Sequence, residues 1–141
     1  MASTSPTLLR LSDTHLTVAD PAQDVRSRKV HDKNGADIGH IEDLLIDDTE
    51  KHVRFLLVAS GGFLGLGTKK FLIPVDAVMH VSNDAVQIDR SRDHVSGGPS
   101  YDPDLKDEEL AEDQYSAVYG YYGFMPFWGI GYTYPSFPFY L

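Results

Sequence analysis

Short apolar segments alternate with polar turns between Val30 and Asp89, a pattern typical of β-strands joined by tight connections. Lys33-Asn34-Gly35 is predicted to turn the first strand into the second, because Asn-Gly is the strongest short hairpin signal. The pattern predicts strands over Arg28–Asp32, Ile38–Asp47, Val53–Ala59, Phe71–Ile73, Val78–Val81 and Val86–Asp89.

The second predicted strand changes face part of the way along. Its apolar residues do not keep one parity, and the switch falls near Glu42–Asp43. One extra residue, inserted as a β-bulge, would return the later apolar residues to the inward face. Small barrels use such bulges to bend their strands, so the sequence predicts a bulge at this point.

The third predicted strand, Val53–Ala59, is apolar on both faces. An antiparallel strand with one face in solvent should alternate apolar with polar residues. We therefore expect the second face to be covered by the C-terminal segment, the N-terminal arm or a second copy of the protein. The glycine-flanked loop that follows is apolar as well. The interface candidates from this part of the chain are Phe55, Leu56, Val58, Phe63 and Leu64.

The two ends of the chain lack the strand pattern. Residues 1–25 are rich in Ser, Thr, Asp and Pro and predict a flexible arm, with an edge strand around Leu8–Leu11 or His15–Val18 as the alternative. On the other side, Ser91–Val95 could form one helical turn. Asp102-Pro103 then predicts the start of an acidic helix that runs to about Tyr119.

The C-terminal segment Tyr119–Leu141 is aromatic and uncharged, and seven of its residues are Gly or Pro. Exposed aromatic residues at this density would aggregate, so the segment should be pinned against something. It either packs on its own barrel or docks on a neighbouring subunit or another protein. Aromatic anchors are the usual hot spots of interfaces, and the candidates here are Tyr122, Phe124, Phe127, Trp128, Tyr132 and Tyr134.

The net charge of −9 lies mainly after residue 92. Nothing in the sequence forms the basic patch that a nucleic-acid surface needs, which excludes nucleic acid as the main partner. An anionic membrane would repel the acidic segment, so membrane association is expected to be indirect if it occurs. Without a signal peptide or a long apolar span, the expected location is the cytoplasm.

The sequence offers little catalytic chemistry. The loop Gly62–Lys69 differs from a phosphate-binding loop, because Thr precedes Lys and a strand is expected to follow. The six histidines lack zinc-site spacing, although His40 and His80 might meet across the sheet. The acidic run after Asp102 lacks the glycine of a calcium loop. We therefore expect no catalytic residues, no metal and no cofactor, and a protein that is not an enzyme.

Several short pieces of the middle region stand in a characteristic order and spacing: Asn34-Gly35, Ile38-Gly39, Ile41-Glu42-Asp43, Leu45-Ile46-Asp47, Phe55–Val58, Leu64-Gly65, Ile73-Pro74 and Val86–Asp89. Together they resemble the PRC-barrel domain family, a module found in the photosynthetic reaction centre H subunit and in a ribosome maturation factor. The matching residues cover under half of the chain. The resemblance implies a small, strongly bent barrel that binds or scaffolds other proteins and often self-associates.

The sequence thus predicts an all-β fold, a small bent barrel with a C-terminal helix and an irregular aromatic extension. Residues 1–25 are assigned to the arm, 26–95 to the barrel and 96–141 to the acidic helix and aromatic tail. The leading functional hypothesis is a non-catalytic interaction module that self-associates, most simply as a two-fold dimer. The alternatives are an accessory subunit of a membrane complex like that of the H subunit, and a small ligand-binding protein or enzyme.

Overall fold

Seven strands and two α-helices make up the described part of the computed structural model, residues 8–11, 25–47, 52–60, 69–101, 108–129 and 131–132. The helices are α1, Arg92–Ser96, and α2, Glu108–Tyr122, whose side chains are described from Asp113 onward. A short 3-10 helix, Val75–Ala77, joins β5 to β6. The strands are β1 Leu8–Arg10, β2 Lys29–His31, β3 Asp37–Asp47, β4 Val53–Ala59, β5 Lys70–Pro74, β6 Val78–Val81 and β7 Ala85–Ile88.

All seven strands belong to one mixed sheet in the order β5-β4-β3-β2-β7-β6, with β1 also paired to β3. The β2–β7 pair is parallel and the other pairs are antiparallel. The long strand β3 pairs with β2 through its first residues, with β1 through its last residues and with β4 along its other edge. This β-rich architecture with its C-terminal helix confirms the predicted fold class.

The predicted strand boundaries in the barrel differ from the observed ones by at most one residue at either end. The predicted bulge is also present. Ile41 pairs with Val58 and Asp43 pairs with Leu57, so Glu42 is the extra residue of β3. The parity change in the sequence therefore located a real irregularity of the sheet.

Residues 8–11 correct the prediction of a flexible N-terminal arm. Residues Leu8–Arg10 form β1, which pairs with Leu45, Ile46 and Asp47 of β3, and Leu11 is buried. The end of β3 offers an edge for this pairing, and burial of apolar side chains stabilises it. The alternative of an edge strand near Leu8–Leu11 is thus the one that forms, whereas His15–Val18 lies outside the described residues.

Gly39 marks the closest approach between β3 and the end of β4. A Cβ atom built on Gly39 would lie 2.1 Å from the carbonyl oxygen of Ala59, a distance that no side chain tolerates. At the same end Ser60 is buried, its N–H donates to Lys69 O at 2.8 Å, and its Oγ accepts from Lys69 N–H at 3.1 Å. The absence of a side chain at Gly39 therefore permits the close backbone approach between β3 and the end of β4.

Strands β5 and β6, at the two ends of the main strand order, carry features that hinder pairing with another strand. In β6, Val78 pairs with Ile88 and His80 with Gln87, so Met79 is an extra residue, and it is 57% exposed. In β5, Pro74 lacks an N–H donor and the Lys70 carbonyl accepts from Tyr101 N–H at 2.8 Å. Bulges, prolines and covering segments are common protections of sheet edges.

The sheet order overturns one prediction about the histidines. His40 lies on β3 and His80 on β6, and strands β2 and β7 separate them. Both side chains are exposed, so the prediction that they might meet across the sheet is wrong. No group of three or more metal-ligating side chains is present within the described ranges.

The helices follow the sequence signals only in part. Ser91 caps α1, since its side-chain oxygen accepts from His94 N–H at 3.1 Å. Helix α2 ends at Tyr122, three residues beyond the predicted end, because Tyr122 is itself buried against the core. The predicted start at Asp102-Pro103 lies outside the described residues. None of the helices in the described ranges has the length and apolar character needed to cross a membrane.

Candidate interaction surface

Helix α2 packs against Phe55 of the apolar strand β4 within the same chain. The Phe55 ring lies 5.7 Å from the Tyr115 ring and 4.8 Å from the Tyr119 ring, centroid to centroid. Tyr115 is 7% exposed, and Phe55 and Tyr119 are fully buried. The sequence analysis left three candidates for the segment that covers this strand. The structure shows the C-terminal segment packed on Phe55.

Strand β4 contains a second irregularity, and its extra residue is Arg54. Leu45 pairs with Phe55 and Ile46 with Val53, so the register shifts by one residue at Arg54. Its Nε lies 3.0 Å from Asp47 Oδ1, and the two side chains are 2% and 5% exposed. This is a buried ion pair, in which each charge depends on the other for solvation.

Residues 124–129 and 131–132, called the aromatic cap below, lie over Arg54. The Arg54 guanidinium carbon is 4.3 Å from the Phe127 ring centroid and 5.8 Å from the Tyr132 ring centroid. A guanidinium within about 6 Å of an aromatic face is attracted by the negative face of the ring, more strongly when water is excluded. The cap therefore closes the hydrophobic cover over a charged residue of the barrel.

A second side-chain contact joins the cap to the 3-10 helix. The Tyr132 hydroxyl donates a hydrogen bond to Asp76 Oδ2 at 3.0 Å. Burial raises the pKa of Asp76, while the Tyr132 hydrogen bond and the Arg54 charge oppose the increase. The other carboxylate oxygen, Oδ1, is buried without a hydrogen-bond partner among the described residues. The Asp76 carboxylate is thus only partly compensated in its buried position.

Tyr119 lies between the barrel and the cap. Its ring centroid is 5.9 Å from that of Trp128 and 6.5 Å from that of Phe127, both in edge-to-face arrangements. Burial, together with the nearby Asp76 carboxylate, raises the pKa of Tyr119 well above its usual range, so its hydroxyl stays neutral. Aromatic rings stacked in this order form a continuous layer from β4 through α2 to the cap.

The end of α2 is attached separately to α1 and its approach. The Tyr121 hydroxyl donates to the His94 carbonyl at 2.6 Å, and the two rings lie 4.3 Å apart. Arg90 donates through Nη2 to the Tyr122 carbonyl, and its guanidinium carbon is 4.9 Å from the Phe124 ring centroid. These contacts hold the helix end in place, so the cap begins from a fixed point.

The predicted interface residues fall into three groups. The core residues of the single chain, each at most 3% exposed, are Phe55, Leu56, Val58 and Tyr122. Phe63, Leu64 and Tyr134 lie outside the described residues. The half-buried candidates are Phe124, Phe127, Trp128 and Tyr132, which all belong to the aromatic cap.

Sequence reasoning missed the charged part of this region. The sequence analysis did not propose a charged cluster here, although the structure brings together Arg54, Asp47 and Asp76 beneath the cap. The apolar residues around Arg54 conceal its bulge, since a strand that is apolar on both faces gives no parity signal. Tyr132 and Asp76 are far apart in the sequence, so no local pattern links them.

Comparison with known families agrees with this architecture. The model of the PRC-barrel domain family matches residues 19–95, which is more than half of the 141-residue chain. The chain belongs to the PRC-barrel family. The PRC-barrel match begins before β2 and ends within α1, so helix α2 and the aromatic cap lie beyond it. No curated protein matches the chain.

The PRC-barrel domain is a general protein-interaction and scaffold-type domain. In this PRC-barrel protein the barrel core is covered on the β4 side by the residues that follow the domain. The surface presented there is consequently made of cap residues. The cap is therefore the candidate interaction surface.

Proposed function

We propose that this protein is a non-catalytic interaction module that self-associates through its aromatic cap, most simply as a two-fold dimer. One observation carries the proposal: the cap is uncharged and only partly buried on its own barrel. Phe124, Phe127 and Trp128 are half-buried, and Met125 is 48% exposed. Desolvated aromatic and methionine side chains are enriched in the cores of protein interfaces, where charged residues are depleted.

Strands β5 and β6 support the cap, rather than extension of the sheet at either of their edges, as the place of contact. Met79 forms a bulge on β6, and Tyr101 and Pro74 obstruct β5. A second copy that added a strand would have to displace or straighten these features. Contact through the cap leaves both of these strands unchanged.

The groups with shifted pKa values support a non-catalytic role. Burial raises the pKa of Tyr115 to about 12, and burial likewise raises the pKa values of Tyr119 and Tyr122, so these phenols stay neutral within the core. Asp32 and Asp76 accept structural hydrogen bonds from backbone N–H groups and from Tyr132 respectively. Each group has a structural task, and the proposal includes no cofactor, metal or nucleic acid.

The test uses a matched pair of methionine variants. Met125 and Met79 are the two exposed large hydrophobic residues among those the structure describes, one in the cap and one on β6. In sedimentation experiments over a range of concentrations, we expect Met125→Lys to weaken the wild-type dimer at least about tenfold, because a charge must then be desolvated. We expect Met79→Lys to leave dimerisation unchanged.

Two results would overturn the proposal. A wild-type protein that stays monomeric at high concentration would show that the cap packs only within its own chain. A dimer that is weakened by Met79→Lys but not by Met125→Lys would place the interface on β6. Circular dichroism of both variants checks that neither substitution unfolds the barrel.

A further inference from the structure

We infer that two copies of this chain dimerise by exchanging their aromatic caps, each cap binding over Arg54 of the other barrel. The inference rests on the proposed self-association and specifies its partner and its site. A second copy carries the same cap, so it presents the Phe127 ring and the Tyr132 hydroxyl that the Arg54–Asp76 surface already binds in the single chain. Exchange of an identical element is a low-cost route to a dimer, because it reuses existing contacts.

The cap is built as a unit that can move without losing its own structure. Gly129 N–H donates to Pro126 O at 2.9 Å, and Tyr132 N–H donates to Gly129 O at 3.2 Å, so two consecutive turns lie inside the cap. Arg54 and Asp76 bind it through side chains, by ring contact and hydrogen bond. A partner's cap would satisfy these side chains equally well.

Gly123 is the hinge between α2 and the cap. Its φ is +83°, and both Gly123 N–H and Phe124 N–H donate to the Tyr119 carbonyl at 2.9 Å, which closes the helix with a sharp reversal. Arg90 and His94 hold Tyr122 and Tyr121 just before this point, and Arg90 also contacts the Phe124 ring just after it, a contact that the cap gives up when it moves. A change of the Gly123 backbone would therefore swing the cap away while α2 stays on its barrel.

The surface beneath the cap gives the exchange its specificity. Arg54 is a buried cation beside the Asp47 carboxylate, and it requires cover by groups that favour a guanidinium. Water reaches these charges as soon as the cap leaves, so the open monomer exposes both the ion pair and the Tyr119 ring. A second cap restores the aromatic contact and the hydrogen bond together, which an unrelated apolar peptide does not.

Cross-linking between two differently labelled chains tests the exchange directly, since the chain has no cysteine. One population carries Asp76→Cys and the other carries Tyr132→Cys, positions that the 3.0 Å hydrogen bond places in contact. The two are mixed, unfolded and refolded together, and treated with a short bismaleimide. We expect a covalent dimer containing one chain of each kind, and none in either population alone. A single chain carrying both substitutions, diluted to a monomer, shows that the reagent spans the positions.

The outcomes separate the two proposals. If the wild type dimerises but the double variant links only within its own chain and the mixture gives no covalent dimer, the exchange is refuted and the self-association stands. If sedimentation shows only monomer, the proposed function itself fails.

A hinge variant gives an independent readout that keeps Asp76 and Tyr132 intact. Gly123→Ala has room for its Cβ, whose nearest atom is Arg90 Nη2 at 3.9 Å, but it disfavours the positive φ of the closed hinge. Since two hinges open per dimer, we expect the association constant to rise by about 30-fold or more. Gly120→Ala, inside α2 with no atom within 4 Å of the new Cβ, should leave it unchanged. An equal or weaker association of Gly123→Ala would overturn the exchange.

Discussion

The turn at Asp32 and the cluster under the cap each bury a carboxylate, and they do so in opposite ways. Asp32 Oδ1 accepts from Asn34 and Ala36 N–H, and its Oδ2 accepts from Arg92 N–H, all at 2.8 Å. Asp76 accepts one hydrogen bond from Tyr132, and its Oδ1 is buried without a partner in the described part of the chain. Burial acts to raise the pKa at both sites. The backbone donors from Arg92, Ala36 and Asn34 outweigh it at Asp32, where the net change is a lowered pKa.

This difference shows how the two regions are stabilised. Backbone N–H groups are fixed by the fold, so the Asp32 turn belongs to the barrel and loses its bonds only when the barrel unfolds. The contacts under the cap come from side chains of a separate segment, so the proposed exchange breaks them while the backbone bonds of the barrel stay in place. The barrel therefore supplies a rigid scaffold, and the cap supplies the adjustable surface.

Removing the carboxylate beside Arg54 should have the largest effect. Asp47→Ala removes the acceptor of both Arg54 Nε and His52 N–H, each at 3.0 Å. Breaking a buried ion pair in this way costs about 3–5 kcal/mol of unfolding free energy. The matched control is Asp37→Ala, which breaks the exposed pair with Lys29 and should cost less than about 1 kcal/mol. Urea unfolding measures both, and equal costs would contradict the importance given to burial.

Asp32→Ala should destabilise the barrel by about 2–4 kcal/mol at pH 7, because three backbone donors lose a charged acceptor. The pKa of Asp32 is lowered in the folded state, so its stabilisation is present above the unfolded pKa of about 3.9 and is lost as the pH falls through the folded value. Urea titrations at pH 7 and below pH 4 should show the cost shrinking in acid. The exposed Asp84 provides the control substitution, and a cost that is independent of pH would contradict this account.

Asp76→Asn should have the smallest effect and the opposite pH trend. The amide oxygen can still accept the Tyr132 hydroxyl, and the substitution removes a charge that burial disfavours. Because the folded pKa of Asp76 is raised, its favourable contribution is present below the unfolded pKa and is lost as the pH rises through the folded value. We expect Asp76→Asn to match or slightly exceed the wild-type stability at pH 7, within about 1 kcal/mol. A larger loss, measured by thermal unfolding, would show that Arg54 requires this second carboxylate.

The sequence was sufficient for the barrel and insufficient for the region beneath the cap. Alternating residues located the strands, and the parity change at Glu42 located a bulge, since both are local signals. Arg54 lies in a strand that is apolar on both faces, where an inserted residue changes no visible pattern. Tyr132 meets Asp76 only after the sheet and α2 have folded, so no spacing along the chain reveals the contact.

The apolar face of β4 shows the same limit. The sequence showed that the second face of Val53–Ala59 must be buried. The C-terminal segment, the N-terminal arm and a second copy of the protein were all consistent with the apolar pattern of this strand. Burial of apolar area is not directional, so it does not select among the available surfaces. Phe55 packs on Tyr119 of α2. The position of α2 depends on the segment that follows the PRC-barrel domain, so the pattern of the strand itself does not predict this contact.

The parallel pairing of β2 with β7 has a consequence for synthesis on the ribosome. Strand β2 pairs with Ala85, Val86 and Gln87 of β7. The middle of the sheet therefore forms only after the ribosome has added more than fifty residues beyond β2. If β2, β3 and β4 pair before then, one edge of β2 stays open and apolar surface is exposed. At about 5–20 residues per second this interval lasts several seconds. Pairings between distant positions are also slow to nucleate, so this step is expected to limit the folding rate of the newly made protein.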